Sequence, residues 1–126
     1  MKKNTKGFTL AELLIVVAIV AVLVAISIPV FTSQLHKARV AADWANVRAY
    51  YAELQYDFME TEKIDENKLH DLGQLGLTSF TLTGQTIKLQ EGSIWIRREA
   101  GETKGYNILY LCTKHHEKCQ LILPED

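Results

Sequence analysis

The sequence predicts an α+β fold, in which a long amino-terminal α-helix, kinked near Pro29, packs its carboxy-terminal half on a small antiparallel sheet of four or five strands. Three observations predict this fold. All 23 positions from Leu13 to Leu35 are uncharged, and most are Ala, Val, Ile or Leu. Apolar residues then recur at helical spacing as far as Phe58. After residue 78, β-prone runs separated by short turns fill the chain.

The composition fits one domain of modest size. The chain has 126 residues, with 14 Lys and Arg, 15 Asp and Glu, two cysteines and 48% hydrophobic residues. A net charge of −1 gives no electrostatic reason to expect binding to nucleic acid or to a membrane surface. The composition excludes a disordered chain, a collagen-like repeat and a multi-cysteine scaffold. What remains outside the uncharged segment is too small for the elaborate site of most large enzymes.

The uncharged segment is long enough to cross a membrane. As a helix, Leu13 to Leu35 spans about 35 Å, against a hydrocarbon core of about 30 Å. Lys2, Lys3 and Lys6 precede it, which favours a cytoplasmic amino terminus. A secretory signal peptide is disfavoured, because the helical pattern continues past the segment, where such peptides are cut. A plain membrane anchor stays open as an alternative.

Two residues of the apolar segment, counted from Phe8, do not fit a passive anchor. An unpaired carboxylate at Glu12 costs roughly 2.5 kcal/mol or more in lipid. Pro29 cannot donate the backbone hydrogen bond of a helix interior. An acidic residue inside a membrane segment indicates a functional site with a partner.

Residues 6–15, Lys-Gly-Phe-Thr-Leu-Ala-Glu-Leu-Leu-Ile, resemble the processing and assembly signature of type IV pilins and pilin-like proteins. The close resemblance covers roughly the first forty residues. It implies that a prepilin peptidase removes a basic leader, residues 1–7, between Gly7 and Phe8 and methylates the new amine of Phe8. It also implies that residues 8–31 first span the membrane and then form the core of a filament. Glu12 and Pro29 stand at the fifth and twenty-second positions of the chain so processed, as in the family.

The resemblance implies a structural subunit, a major pilin of a type IV pilus, and no enzyme. Phe8, Glu12 and Pro29 are the expected assembly residues, because Glu12 of one subunit can neutralise the amine at Phe8 of another in an apolar filament core. The alternative for Glu12 is a contact with its own chain or with lipid headgroups. The expected partners are copies of the chain in a helical filament, the prepilin peptidase and the pilus assembly machinery.

The same resemblance places the precursor in the cytoplasmic membrane and the assembled filament outside the cell, on the bacterial surface. Three other functions stay open: a pseudopilin of a type II secretion or competence (DNA-uptake) system, a minor pilin, and a membrane-anchored binding domain without an assembly role.

The helix is predicted to run from about Phe8 to about Glu60. Its second half, residues 32–60, opens the globular head, residues 32–126. This half carries an apolar stripe with alternating spacings of four and three: Val40, Trp44, Val47, Tyr51, Leu54 and Phe58. Arg39 and Asp43 are predicted to pair on its polar side. A coiled coil is the alternative, but the aromatic residues favour a domain core.

A polar loop, residues 61–77, and a sheet, residues 78–126, follow. Asp65 is predicted to cap a short helix from Glu66 to Leu72. Five β-prone runs come next: Ser79–Thr83, Thr86–Gln90, Ser93–Arg98, Tyr106–Cys112 and Cys119–Leu123. Residues 83–85 and 90–92 are short enough for hairpin turns. The run Ile108–Leu111 alternates poorly, which predicts a central strand covered on both faces.

Cys112 and Cys119 are predicted to form a disulfide, as expected of two cysteines in an exported domain. Type IV pilins often have a disulfide near the carboxy terminus, which this pair resembles. Together with His115 and His116 they also form a C-x-x-H-H-x-x-C string of zinc ligand types. The string leaves little room for a tetrahedral shell, so we expect no metal and no cofactor.

No arrangement of residues predicts catalysis, and His36 and His70 are expected on helix surfaces. Arg97, Arg98 and Lys104 form a small basic patch near Trp95 and Tyr106, similar in type to a single-strand nucleic-acid surface. Three charges are few, and charges on an edge strand commonly prevent aggregation. The sequence therefore does not favour nucleic acid as a partner.

Overall fold

The structure is a computed structural model that describes residues 7–100, 105–114 and 119–125. It contains two compact units, residues 1–35 and residues 36–126. The predicted leader, except Gly7, lies outside the described residues. The elements in chain order are helix α1 (Leu10–Thr61), a 3₁₀ turn (Glu66–Lys68), and strands β1 (Ser79–Leu82), β2 (Gln85–Lys88), β3 (Gly92–Arg98), β4 (Tyr106–Cys112) and β5 (Leu121–Leu123).

The predicted α+β class is confirmed, with one long helix followed by antiparallel strands. The strands form two sheets instead of one. One sheet is the hairpin β1-β2, and the other has the order β3-β4-β5, which makes β4 its central strand as predicted. The side chains of β4 alternate between buried and half-buried, so one face of this strand is covered more completely than the other.

The β1-β2 hairpin turns at Thr83 and Gly84, as predicted. Both residues have positive φ angles, 49° and 81°. A two-residue turn of that kind matches the right-handed twist of the flanking strands, and glycine takes the conformation without steric cost.

The second predicted hairpin, at residues 90–92, is wrong. Strand β2 pairs with β1, and β3 pairs with β4, so the chain between β2 and β3 crosses from one sheet to the other. The backbone N–H groups of Gln90 and Glu91 point to the helix and donate to the Asp43 carboxylate, each at 2.8 Å. These bonds attach the connection between β2 and β3 to the helix, so it does not form a hairpin turn between the two strands.

The polar loop pairs with the outer edge of β3. Backbone hydrogen bonds of 2.7–2.9 Å join His70 to Ile96 and Leu77 to Ile94 in both directions. This pairing explains why the predicted helix from Glu66 to Leu72 is wrong beyond its first turn, because extended backbone is needed at residue 70. Asp65 caps that turn as predicted, accepting from Asn67 N–H at 3.0 Å. His70 is therefore half-buried in the loop and not on a helix surface.

The core of the head lies between α1 and the strands. Its helix residues again have alternating spacings of four and three, but on a face shifted from the predicted stripe: His36, Val40, Asp43, Val47, Tyr50 and Leu54. Tyr50 stacks on Phe80 of β1 with ring centroids 4.4 Å apart. Trp44, Tyr51 and Phe58, which the sequence placed at the centre, are only partly buried beside this face.

Candidate functional site

The first unit exposes a continuous apolar surface. Every residue from Gly7 to Gln34 is exposed. This range contains all of the 23 consecutive uncharged positions except the last, Leu35, which is half-buried. Phe8 is 85% exposed and Phe31 66%. Soluble monomers rarely expose contiguous apolar patches of this kind, so lipid or other chains must cover the segment. By length and composition, α1 is able to cross a membrane.

Glu12 caps the start of α1 in its own chain. Thr9 N–H donates to Glu12 Oε2 at 3.0 Å, and Glu12 N–H donates to Thr9 Oγ1 at 3.2 Å. This reciprocal pair is a capping box, which satisfies two of the N–H groups that a helix start leaves open. The Thr-x-x-Glu spacing in the sequence is the local signal of this capping box, which was not among the predictions. The contact corresponds to the own-chain alternative considered for Glu12.

Helix α1 continues through Pro29. Because proline has no N–H, the carbonyl of Ala25 loses its usual helical donor. Two hydroxyl groups near this point bond to backbone carbonyls. Ser27 Oγ donates to Leu23 O at 2.6 Å, and Thr32 Oγ1 donates to Pro29 O at 3.0 Å. Such side-chain bonds keep the hydroxyls satisfied in an apolar surrounding.

In the head, Asp43 is completely buried and accepts three hydrogen bonds of 2.8 Å. Two come from the N–H groups that precede β3, and the third comes from the hydroxyl of Tyr110 on β4. Burial, followed by the hydrogen bond and charge of Asp43, raises the pKa of Tyr110. The predicted surface pair of Arg39 with Asp43 is therefore wrong.

Arg39 pairs instead with Glu91, whose carboxylate also contacts His36. Arg39 Nη1 lies 3.2 Å from Glu91 Oε1, and His36 Nδ1 lies 3.2 Å from Glu91 Oε2. Burial acts to raise the pKa of Glu91, but the hydrogen bonds from Arg39 and His36 outweigh it and lower that pKa. His36 is only 8% exposed, which contradicts its predicted place on a helix surface. We call His36, Arg39, Asp43, Glu91 and Tyr110 the Asp43 cluster.

The structure joins Cys112 and Cys119 in a disulfide, with their Cα atoms 5.7 Å apart. Both cysteines are buried, and their sulfur atoms and a ring nitrogen of His36 all lie within 4.8 Å of one another. His115 and His116, which complete the C-x-x-H-H-x-x-C string, lie outside the described residues. The disulfide thus lies beside the Asp43 cluster.

The basic patch offers little to a nucleic acid. Arg98 forms an ion pair with Glu66. Tyr106 is buried, and its hydroxyl accepts a hydrogen bond from Asp65 N–H at 2.8 Å. Trp95 donates its indole N–H to the Gln74 carbonyl at 3.0 Å. The buried ring of Tyr106 is therefore not available for base stacking, and Lys104 lies outside the described residues.

Comparison with known proteins identifies the amino-terminal segment. Residues 2–28 match the prokaryotic N-terminal methylation motif. The chain is 52% identical over 52 residues to the type IV narrow pilus major component PilA5 of Thermus thermophilus, covering 39% of this chain and 45% of that relative. It is 46% identical over 80 residues to the type IV wide pilus major component PilA4 of the same organism, covering 64% of this chain and 56% of the relative.

A third relative comes from another organism. The type IV major fimbrial protein FimA of Dichelobacter nodosus is 35% identical over 66 residues, covering 52% of this chain and 41% of the relative. The chain thus matches about half the length of these curated relatives. No solved structure matches it. Residues 2–28 thus carry the prokaryotic N-terminal methylation motif, and part of the chain is similar to three relatives that are named as major components of type IV pili or as a type IV major fimbrial protein.

Proposed function

We propose that the chain is a major pilin, a structural subunit that assembles into a type IV pilus through its apolar amino-terminal helix. The exposed surface from Gly7 to Gln34 carries this proposal, because it needs a cover that the described residues of one chain do not supply. The matched methylation motif and the relatives named as pilus components support it. Structural pilins are in general not enzymes, and we propose no catalytic role.

Processing is proposed between Gly7 and Phe8, with methylation of the new amine by a prepilin peptidase. Both residues are exposed and precede the first residue of α1, so a peptidase can reach the bond without unwinding the helix. A Cβ atom added at Gly7 would meet no atom within 4 Å. A processing defect in a Gly7→Ala variant would therefore report on the peptidase and not on the fold of the chain.

In the membrane, the lysines at positions 2, 3 and 6 hold the leader on the cytoplasmic side, and the head lies outside. Leaving lipid for a filament exchanges one apolar environment for another. The apolar segment thus stays buried away from water, and packing between the helices of neighbouring subunits is gained. We propose that the assembly machinery in the cytoplasmic membrane drives this transfer and delivers the subunits to a filament on the bacterial surface.

Glu12 is proposed to pair with the Phe8 amine of a neighbouring subunit, while Pro29 shapes the segment for packing. The capping box that Glu12 forms in its own chain competes for the same carboxylate, since Glu12 Oε2 already accepts a hydrogen bond from Thr9 N–H. The two roles need different properties. A glutamine at N3 also fits a capping box, but it has no charge to offer an ammonium group.

The test is therefore a pair of variants, Glu12→Gln and Glu12→Ala, expressed beside the unchanged chain. Sheared surface filaments are analysed by mass spectrometry for an abundant peptide that begins at N-methylated Phe8. We expect this peptide from the unchanged chain. Neither variant should yield filaments, although both should insert in the membrane and be cleaved. Normal filaments from Glu12→Gln would overturn the charge pairing, and an uncleaved chain in all strains would overturn the pilin function.

The alternatives are a minor pilin and a pseudopilin of a secretion or DNA-uptake system. We favour a major pilin because the three relatives are each named as a major component or major fimbrial protein. Abundance discriminates between them. A major pilin dominates the protein of sheared filaments, whereas a minor pilin or pseudopilin is a trace component or absent.

A further inference from the structure

A groove of about 450 Å³ lies in the head, between the second half of α1, the polar loop and β1. Its volume falls within the roughly 300–1,000 Å³ of small-molecule sites. Leucine side chains and Phe80 give the groove apolar surface. Polar side chains come from all three elements and include Tyr50, Glu53, Asn67, Lys68, Ser79 and Thr81. The pilin function proposed above leaves this groove without a role.

Tyr50 brings an unused hydroxyl to the groove. The residue is only 8% exposed, and its ring is fixed by stacking on Phe80 of β1. Its hydroxyl forms no hydrogen bond with a described residue and stays open to solvent in the groove. Burial raises the pKa of Tyr50, and the charge of Lys68 offsets only part of this rise, so the hydroxyl keeps its proton at neutral pH. It can therefore both donate and accept a hydrogen bond to a ligand.

The free edge of β1 supplies backbone groups. In a two-residue hairpin the pair that closes the turn exchanges hydrogen bonds, and hydrogen-bonded pairs then alternate along the strands. The N–H and C=O groups of Ser79 and Thr81 therefore point away from β2. Two residues further on, Thr83 N–H donates to Glu53 Oε2 of α1 at 3.1 Å, so this edge faces the helix side of the groove. The edge groups of Ser79 and Thr81 have no partner within the described part of the chain.

The charges on the walls favour a neutral ligand. Lys68 Nζ lies 2.9 Å from Asp57 Oδ2, so its charge is balanced within the chain. The described walls thus hold no lysine or arginine with a free charge to select a phosphate or a carboxylate. Glu53 uses one oxygen for the Thr83 amide and keeps the other for a hydroxyl donor. What the groove offers is a mixture of hydrogen-bond donors and acceptors beside apolar side chains.

We propose that this groove binds a neutral saccharide of one or two rings, through the Tyr50 hydroxyl, the Glu53 carboxylate and the free edge of β1 at Thr81. A sugar ring has hydroxyl groups that donate and accept around its rim and C–H groups on its faces, which matches polar groups beside apolar surface. The free edge has only two residues, which is too short for an added peptide strand of ordinary length.

The consequence for a filament rests on the proposed function. A pilus would repeat the groove once per head along its length. Many weak sites on one fibre then bind a glycan-coated surface together, with an avidity that no single site has. The subunit would thus serve attachment as well as assembly.

The test uses the full chain in a zwitterionic detergent, because a detergent with a sugar headgroup would compete for the site. Chains in detergent need neither cleavage nor assembly, so the result does not depend on the pilin function. The probes are the methyl glycosides of glucose, galactose, mannose and N-acetylglucosamine, followed by saturation-transfer NMR. We expect saturation transfer to at least one glycoside, and none in detergent alone. Absence of transfer to all four would overturn the proposal.

Two variants with matched controls locate the site. Tyr50→Phe keeps the ring that stacks on Phe80 and loses only the hydroxyl, and Thr81→Val also loses one hydroxyl. Each should weaken binding about 2–10-fold, the effect of one lost hydrogen bond. The controls are Tyr56→Phe, on the same helix but outside the groove, and Thr86→Val, directly across from Thr81 on β2. Both controls should bind as the unchanged chain does. Unchanged affinity in both groove variants, or equal losses in the variants and their controls, would overturn the location.

Hydrogen exchange gives a second measurement, on the unchanged chain. The amides of Ser79 and Thr81 point into the groove without a partner among the described residues, so a glycoside that binds there should slow their exchange. Exchange in β5, which belongs to the other sheet, should stay the same. An unchanged exchange rate in β1 with a glycoside that binds would place the ligand elsewhere and overturn the proposal.

Discussion

Replacing Asp43 with alanine should destabilise the head by about 4 kcal/mol. The change removes the acceptor of three 2.8 Å hydrogen bonds from a fully buried position. A buried polar group left without a partner costs about 1–3 kcal/mol. The amides of Gln90 and Glu91 are partly accessible to water, so we count about 1 kcal/mol for each, and about 2 kcal/mol for the buried hydroxyl of Tyr110. The loss is large beside the ~5–15 kcal/mol that stabilises a typical domain.

The measurement is urea unfolding of the full chain in detergent, followed by tryptophan fluorescence. Both tryptophans, Trp44 and Trp95, belong to the head, so the signal reports on that unit alone. The matched control is Asp57→Ala on the same helix. Its carboxylate lies 2.9 Å from Lys68 Nζ in a partly exposed ion pair, and its loss should cost less than about 1 kcal/mol.

A double-mutant cycle tests the reasoning directly. Tyr110→Phe alone should cost about 1–2 kcal/mol, since it removes one of the three bonds to Asp43. Combined with Asp43→Ala, it should cost about 1–2 kcal/mol less than the sum of the two changes, because no hydroxyl is then left without its acceptor. Strictly additive costs, or an Asp43→Ala variant within about 1 kcal/mol of the unchanged head, would refute the account.

Two further predictions concern β4 and its neighbour. Because the pKa of Tyr110 is raised above its usual 10.0, its unfolded form loses a proton first. The stability that is present below pH 10 should therefore fall as the pH rises, by up to about 1.4 kcal/mol per unit. Urea unfolding across that range should show a shallower fall in Tyr110→Phe, and equal slopes would contradict the prediction. Gly92→Ala places a Cβ atom 2.5 Å from the Leu111 carbonyl oxygen and should cost about 1–3 kcal/mol in the same assay. Gly73→Ala, with no atom within 4 Å of its added Cβ, should be nearly neutral, and an equal loss in both would contradict the steric explanation.

Local patterns in the sequence predicted the elements of this fold well. The bounds of β4 are those of the predicted run, Tyr106–Cys112, and α1 ends within one residue of the predicted Glu60. Both depend on interactions between residues that are close in the chain, such as helical apolar spacing and β-prone composition. The capping box of Thr9 and Glu12 was not predicted, although its Thr-x-x-Glu spacing is an equally local signal.

The polar core could not be predicted in the same way. Asp43 and His36 have nothing in their own helix turns that distinguishes them from surface residues. Their burial depends on the amides before β3, on Tyr110 and on Glu91, which lie 47 to 67 residues away from Asp43 or 55 from His36. The same long-range bonds turn the predicted hairpin at residues 90–92 into a crossing between sheets. Contacts between residues that are far apart in the chain depend on the tertiary structure, and local periodicity does not predict them.

The bonds that meet at Asp43 also attach separate parts of the head to the helix at a single point. They join α1 to the two residues before β3 and to β4, and they all end on one carboxylate. Because they share one acceptor group, a force that separates the helix from these strands would load all three bonds at the same side chain. In these terms Asp43 is a mechanical fastening between the helix and the strands.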